Sequence, residues 1–272
     1  MCIMAVRRSS AILFASMALG LSACDAEIAV MTSLLMGGAA GALAYGRRDQ
    51  QLALRRGQSM QRALRAGAPR DLERNLRAEI ALAAAGEGVS LEREWYARAQ
   101  LGGLLVAEWR LDEARALFGT QDDQLPPLIR ERAAFGRYEV SVLTQTPDAH
   151  LLETIRADRE MYVALLPAYL HECVRAAWLA LEGLTLVRMG DNDLGVRILE
   201  KALDQGLEQS LQFSPTSVIY LFHLAQANER IGRLEQAGTR YKQAREAFPG
   251  TRLANEADTR LRALGAGTVG GF

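Results

Sequence analysis

The chain has 272 residues, 49% of them hydrophobic and 24% charged, and 32 Lys and Arg offset 32 Asp and Glu to a formal net charge of zero. That length allows one elongated helical array or two compact domains, either with a real core, and the charge balance gives no reason to expect nucleic acid as a partner. The charge is unevenly placed: nine arginines between Arg47 and Arg77 face only Asp49, Asp71 and Glu73, a local net of +6 that leaves residues 78–272 at −6.

In chain order, Met1 to Arg8 carries two arginines, Ala11 to Gly20 is an apolar run, and Leu21-Ser22-Ala23-Cys24 follows. The run is about half of what a helix needs to cross ~30 Å of hydrocarbon. This arrangement resembles a bacterial lipoprotein signal, in which a basic n-region and a short h-region lead to a small-residue box ending in cysteine. The resemblance implies a signal peptide over residues 1–23, a lipidated Cys24 as first mature residue, and a protein tethered on the periplasmic side of a bacterial membrane. Asp25 is similar to the inner-membrane retention signal of enteric bacteria; because that rule varies between bacterial groups, the outer membrane stays open as well. Cys2 then leaves with the signal and Cys24 is acylated, so Cys173 has no partner for an intramolecular disulfide. It reads as a small buried thiol of an apolar helix. No cofactor is expected beyond the covalent lipid on Cys24.

Ile28 to Gly46 is uncharged over nineteen residues and precedes Arg47 and Arg48, a length that suits a membrane helix. Gly37 and Gly41, and Gly38 with Ala42 and Gly46, fall four apart. That spacing is similar to a glycine zipper and lets helix backbones approach closely in lipid, which predicts self-association. If both apolar runs were retained as a hairpin, the basic segment would sit beside the membrane on the same side as Arg7 and Arg8, and the soluble part would be cytoplasmic. Under the lipoprotein reading, the same arginines of a basic helical linker, residues 47–89, lie along anionic headgroups at ~1 kcal/mol each.

From Gln50 onward, apolar residues recur at helical spacing in an Ala-, Leu-, Arg- and Glu-rich background, with no strand pattern, and the fold class expected is all-α. Breaks at Gly67 to Pro69, Gly86 to Gly88, Gly119 to Pro127, Thr146-Pro147, Gly190 to Asn192, Gln205 to Pro215, Gly232 and Pro249-Gly250 divide it into antiparallel helix pairs. Asp112 and Asp193 are placed to cap the helices they open. Leu221, Leu224, Ala225, Gly232, Ala237, Tyr241, Ala244 and Pro249 resemble the tetratricopeptide repeat (TPR), a 34-residue helix-turn-helix unit. Asn228 departs from it, standing where the family usually has an aromatic. A weaker unit has Leu179, Gly183, Leu186, Gly190, Gly195, Leu199 and Ala202 in corresponding places. A third has Leu101, Gly102, Leu105, Ala114 and Phe118, with Trp109 where the turn glycine would be. Between Leu125 and Leu170 helix pairs are expected but no repeat register is visible. The repeat domain is drawn over residues 90–264, with a flexible tail at 265–272.

Three histidines, His150, His171 and His223, lie in no metal-ligand spacing, and neither a phosphate loop nor a nucleophile elbow is present, so an enzyme is not expected. The TPR resemblance implies a superhelix whose inner groove, lined by first helices, holds a peptide or partner helix. By position it would present Tyr96, Ala99, Ile219, Phe222, Gln226 and Glu229. The expected function is a membrane-tethered scaffold or assembly factor for an envelope complex such as pilus, secretion, outer-membrane or cell-wall machinery. Its partners would be proteins of that complex, membrane lipid and further copies of itself. Two rival readings are a structural subunit that forms a ring or collar through its membrane helix, and a cytoplasmic membrane-anchored adaptor.

Overall fold

The computed structural model describes residues 68–119, 125–207 and 215–269. The expected signal, Cys24 and the glycine-zipper positions Gly37, Gly38, Gly41 and Gly46 lie outside them. The described residues form ten α-helices and no strand: α1 (Pro69–Ala84), α2 (Leu91–Ala107), α3 (Leu111–Phe118), α4 (Pro127–Thr144), α5 (Ala149–Leu165), α6 (His171–Met189), α7 (Asn192–Ala202), α8 (Thr216–Arg230), α9 (Leu234–Ala247) and α10 (Arg252–Val269). A short 3-10 turn, Ala168–Leu170, leads into α6, and a π-helical segment, Leu203–Leu207, follows α7. No helix among the described residues is long and apolar enough to cross a membrane.

Three helical hairpins share one local construction. Just past the end of α2, α6 and α8 one residue takes a left-handed conformation: Trp109 (φ 60°) and Gly232 (φ 78°) two residues beyond their helices and Gly190 (φ 95°) one residue beyond. The N–H groups of Arg110, Asp191 and Arg233 reach back to the carbonyls of Leu105, Leu186 and Asn228 at 2.7, 3.0 and 2.9 Å. This is the Schellman termination, which satisfies helix carbonyls that would otherwise be orphaned. Trp109 is the one non-glycine residue with positive φ among the described residues, so the turn glycine missing from the sequence is replaced by a tryptophan held in the same geometry.

Each hairpin then crosses at a pair of small residues twelve apart. At Gly183 an added Cβ would lie 3.0 Å from Leu199 N and 3.2 Å from Gly195 O, so the α6 and α7 backbones touch. Ala225 and Ala237, both 0% exposed, hold the same places in α8 and α9. In the first hairpin the Phe118 ring fills the space above Gly102, 2.3 Å from where its Cβ would be, and also that above Gly136 of α4, again at 2.3 Å. One aromatic thus welds the α2–α3 hairpin to α4. Capping differs from expectation at two places. The N-cap of α7 is Asp191, which accepts from Leu194 N at 3.2 Å, and α3 has no side-chain cap. Asp193 and Asp112 stand in the first turns instead, where their charge complements the helix dipole.

Packing sorts the helices into two layers. Helices α2, α4, α6 and α8 pack in succession, and α8 returns to α2, so the four close on one another. They are buried nearly all round: from Ser217 to Ala225 every residue of α8 is buried, as is every residue of α6 from Trp178 to Val187. Helices α3, α7 and α9 bury one stripe each, for example Ala237, Tyr241 and Ala244, as expected of helices with one face in water. Trp178 lies at the centre, 0% exposed, with the rings of Phe135, Tyr138 and Tyr162 around it at 5.6–5.8 Å.

Two expected boundaries move. Helix α1 falls within the basic linker, yet Leu72 and Leu76 are fully buried and Glu79 forms a buried ion pair with Arg93 of α2, so α1 belongs to the packed body. At the other end α10 continues through Val269, past residue 264.

Candidate functional site

Closure of the inner helices decides where the expected groove residues sit. Ile219 (0% exposed) and Phe222 (4%) are core side chains of α8, not the wall of an open channel. Phe222 meets Tyr241 edge to face at 5.9 Å. Tyr96 and Ala99 on α2 and Gln226 and Glu229 on α8 are half-buried. Glu229 accepts a 2.7 Å hydrogen bond from Tyr241 and lies 3.8 Å from Arg260 of α10, so it ties α8 to both following helices. The six residues do not line one accessible surface. Asn228 is fully buried and donates from Nδ2 to Leu224 O at 3.0 Å, within its own helix, while its Oδ1 has no partner among the described residues.

The inner layer instead holds paired polar groups. The indole N–H of Trp178 donates to Glu131 at 2.7 Å, and the Tyr220 hydroxyl donates to Glu139 at 2.8 Å. Burial raises the pKa of Glu131, against the opposing Arg132 charge and Trp178 hydrogen bond. Burial likewise pushes Glu139 up to about 7, opposed by the Tyr220 hydrogen bond. His223 is pushed down to about 4, first by burial and then by the Arg188 charge. Its ring lies 5.5 Å from Phe222 and 6.3 Å from Trp109, so the strained turn residue packs on it. Shifted pKa values of this kind often mark catalytic groups. Here Glu139 and Tyr220 are each 2% exposed, so no substrate atom reaches them, and their chemistry is internal: each carboxyl is matched to one donor, which specifies how the inner helices meet.

Glu182, 4% exposed, receives Arg156 at 2.7 Å and Arg159 at 2.6 Å and clamps α5 to α6. Arg188 donates to the carbonyls of Val142 and Leu143 and closes the end of α4. No group of three or more potential metal ligands occurs among the described residues.

The surface is most distinctive between α4 and α5, where sequence reasoning proposed no site. These two helices pack less closely than any other consecutive pair, and α4 ends in an extended Gln145, not a Schellman turn. Arg130, Arg132 and Arg137 are half-buried, and none makes an ion pair among the described residues. On α5, Met161 (43%) and Leu165 (48%) are exposed. The signal was present in the sequence: neither Arg130 nor Arg137 has an acid three or four residues away to pair with along the helix.

No family model, no curated protein and no solved structure matches the chain.

Proposed function

We propose that this protein is a membrane-tethered scaffold of the bacterial envelope, a TPR-like lipoprotein that holds a protein partner against the membrane through its helical domain. The observation that carries the tether is the run Leu21-Ser22-Ala23-Cys24 behind a short basic and apolar leader. The recurring hairpins support the repeat reading. The turn residues Trp109, Gly190 and Gly232 each stand seven residues after one small crossing residue and five before its mate. Binding takes place on the outer surface of the domain, since the inner helices close on themselves. Tethering raises the effective concentration of the domain near other envelope proteins, so a modest surface suffices.

Metabolic palmitate labelling of wild type and Cys24→Ala in the native host tests the tether, with protease accessibility scored on the same cells. The reading expects label that disappears in Cys24→Ala, and a helical domain cut only after the outer membrane is opened. An unlabelled protein whose domain is cut only after the inner membrane is broken would replace it with a cytoplasmic adaptor on a two-helix anchor.

A further inference from the structure

The loosest joint in the fold is the α4–α5 hairpin, and its chemistry is one-sided. Tyr138 of α4 donates to Asp158 of α5 at 2.7 Å, which fixes the faces that the two helices turn to each other. Arg130 and Arg137 are two turns apart on α4, so they share a face. Both act on Tyr162 of α5: burial and Asp158 raise its pKa, and Arg137 and Arg130 oppose them. Leu165 follows Asp158 by two turns and Met161 precedes Leu165 by four residues. The edge of α5 beside the two arginines is therefore the one that exposes Met161 and Leu165.

The guanidinium groups are not simply solvated. Arg130 Nε and Arg137 Nη1 are shielded from solvent and have no hydrogen-bond partner among the described residues, and a buried donor without an acceptor calls for an explanation. The natural complement of a guanidinium is a carboxylate, which takes it in a charge-assisted and often bidentate hydrogen bond. Among the described residues the two acids that act on the same Tyr162, Asp158 and Glu131, are already engaged, by Tyr138 and by the Trp178 indole. The α2–α3, α6–α7 and α8–α9 hairpins are closed by helices crossing at small residues, and α5–α6 by the Glu182 ion pairs. Here the space is flanked by two apolar side chains and two arginines.

We infer that the cleft between α4 and α5 is the docking site for an acidic amphipathic helix of a partner protein, whose carboxylates pair with Arg130 and Arg137 and whose apolar face covers Met161 and Leu165. Helix-in-groove recognition uses this division, with apolar anchors for affinity and charges for register. The inference rests on the reading of the domain as a protein-binding scaffold and names its surface.

The test uses the full chain in its native host, with a photoreactive benzoylphenylalanine in place of Met161 or Leu165, and in place of Leu234 on the distant α9 as a control. The expected result is one discrete adduct from both cleft positions and not from Leu234. Mass spectrometry should place it in a protein segment with Asp or Glu at helical spacing, and its yield should fall at least ten-fold in Arg130→Glu/Arg137→Glu. Arg130→Gln/Arg137→Gln serves if the charge-reversed protein fails to fold, as judged by its thermal melt. Reversing the acids of the captured segment to lysine should restore the adduct of the charge-reversed protein. Adducts to lipid or to a second copy of this chain, an adduct indifferent to both arginines, or none from either cleft position would overturn the inference. Failure of the tether is separately visible: an unlabelled Cys24 with an intact cleft adduct removes the anchor alone, and a labelled Cys24 without the adduct removes the cleft alone.

Discussion

Adding one methyl group at Gly195 tests the close backbone approach of α6 and α7. An alanine Cβ there would lie 2.6 Å from Val187 Cγ2, 3.0 Å from Val187 N and 3.0 Å from Gly183 O. The valine methyl can turn away, but two of the three neighbours are backbone, so relief requires α6 and α7 to move apart toward the usual 3.5–4.0 Å of a carbon contact. Overpacking of this kind costs about 1–3 kcal/mol, whereas replacing Gly by Ala inside a helix returns about 1 kcal/mol. Because relief here requires backbone movement, the cost falls in the upper part of that range, about 2–3 kcal/mol, and the net expectation for Gly195→Ala is a loss of about 1–2 kcal/mol, or a Tm lower by about 2–8 °C. Gly238→Ala on α9 is the matched control. Its Cβ would meet only Leu261 Cδ1, at 3.9 Å, so the helix-propensity gain stands alone and stability rises by about 0.5–1 kcal/mol. Urea and thermal unfolding followed by circular dichroism measure both. A Gly195→Ala protein as stable as wild type, or one shifted in the same direction as Gly238→Ala, would refute backbone contact at the α6–α7 crossing.

Three further outcomes follow from the same physics. At Trp109 the left-handed backbone reverses the usual order of small residues: Trp109→Gly should be more stable than Trp109→Ala by about 1 kcal/mol in urea unfolding, since both lose the ring on His223 but only alanine keeps the strain. Glu139 has its folded pKa raised from 4.5 to about 7, so its contribution to stability is complete below pH 4.5 and is lost as pH rises through 7. Glu139→Gln, which still accepts from Tyr220, should gain on wild type across that window by an amount of the order of 3 kcal/mol. A difference that stays flat with pH would contradict a buried, protonated carboxyl. Trp178→Phe keeps the ring stack and removes the N–H that serves Glu131, so it should lower stability by about 1–3 kcal/mol, more at pH 8 than at pH 5, in unfolding at the two pH values.

The residues most informative about local structure were legible without coordinates. Gly190, Gly232, Ala225, Ala237, Gly183 and Gly195 state their roles in residue type and spacing, because a left-handed turn and a close helix crossing each admit few side chains. Trp109 at a glycine's place was visible as an anomaly, and its positive φ confirms that the turn overrides the residue. The interaction surface was less legible. Tyr96, Ala99, Ile219, Phe222, Gln226 and Glu229 were assigned by position in an open superhelix, and that assignment assumed an accessible inner face. The unpaired Arg130 and Arg137 were readable as arginines lacking helical partners, but nothing local said that Met161 and Leu165 would lie beside them.

Helical periodicity, the small-residue crossings and the turn glycines thus settled, from the sequence alone, that this is an all-α chain of antiparallel helix pairs. What tertiary structure alone decided is how the pairs close: that α8 returns to α2, that Glu131 meets Trp178 and Glu139 meets Tyr220, and that α4 and α5 meet only loosely. The reason is that a period of 3.6 residues reports which face of a helix is buried. It does not report which distant helix buries it.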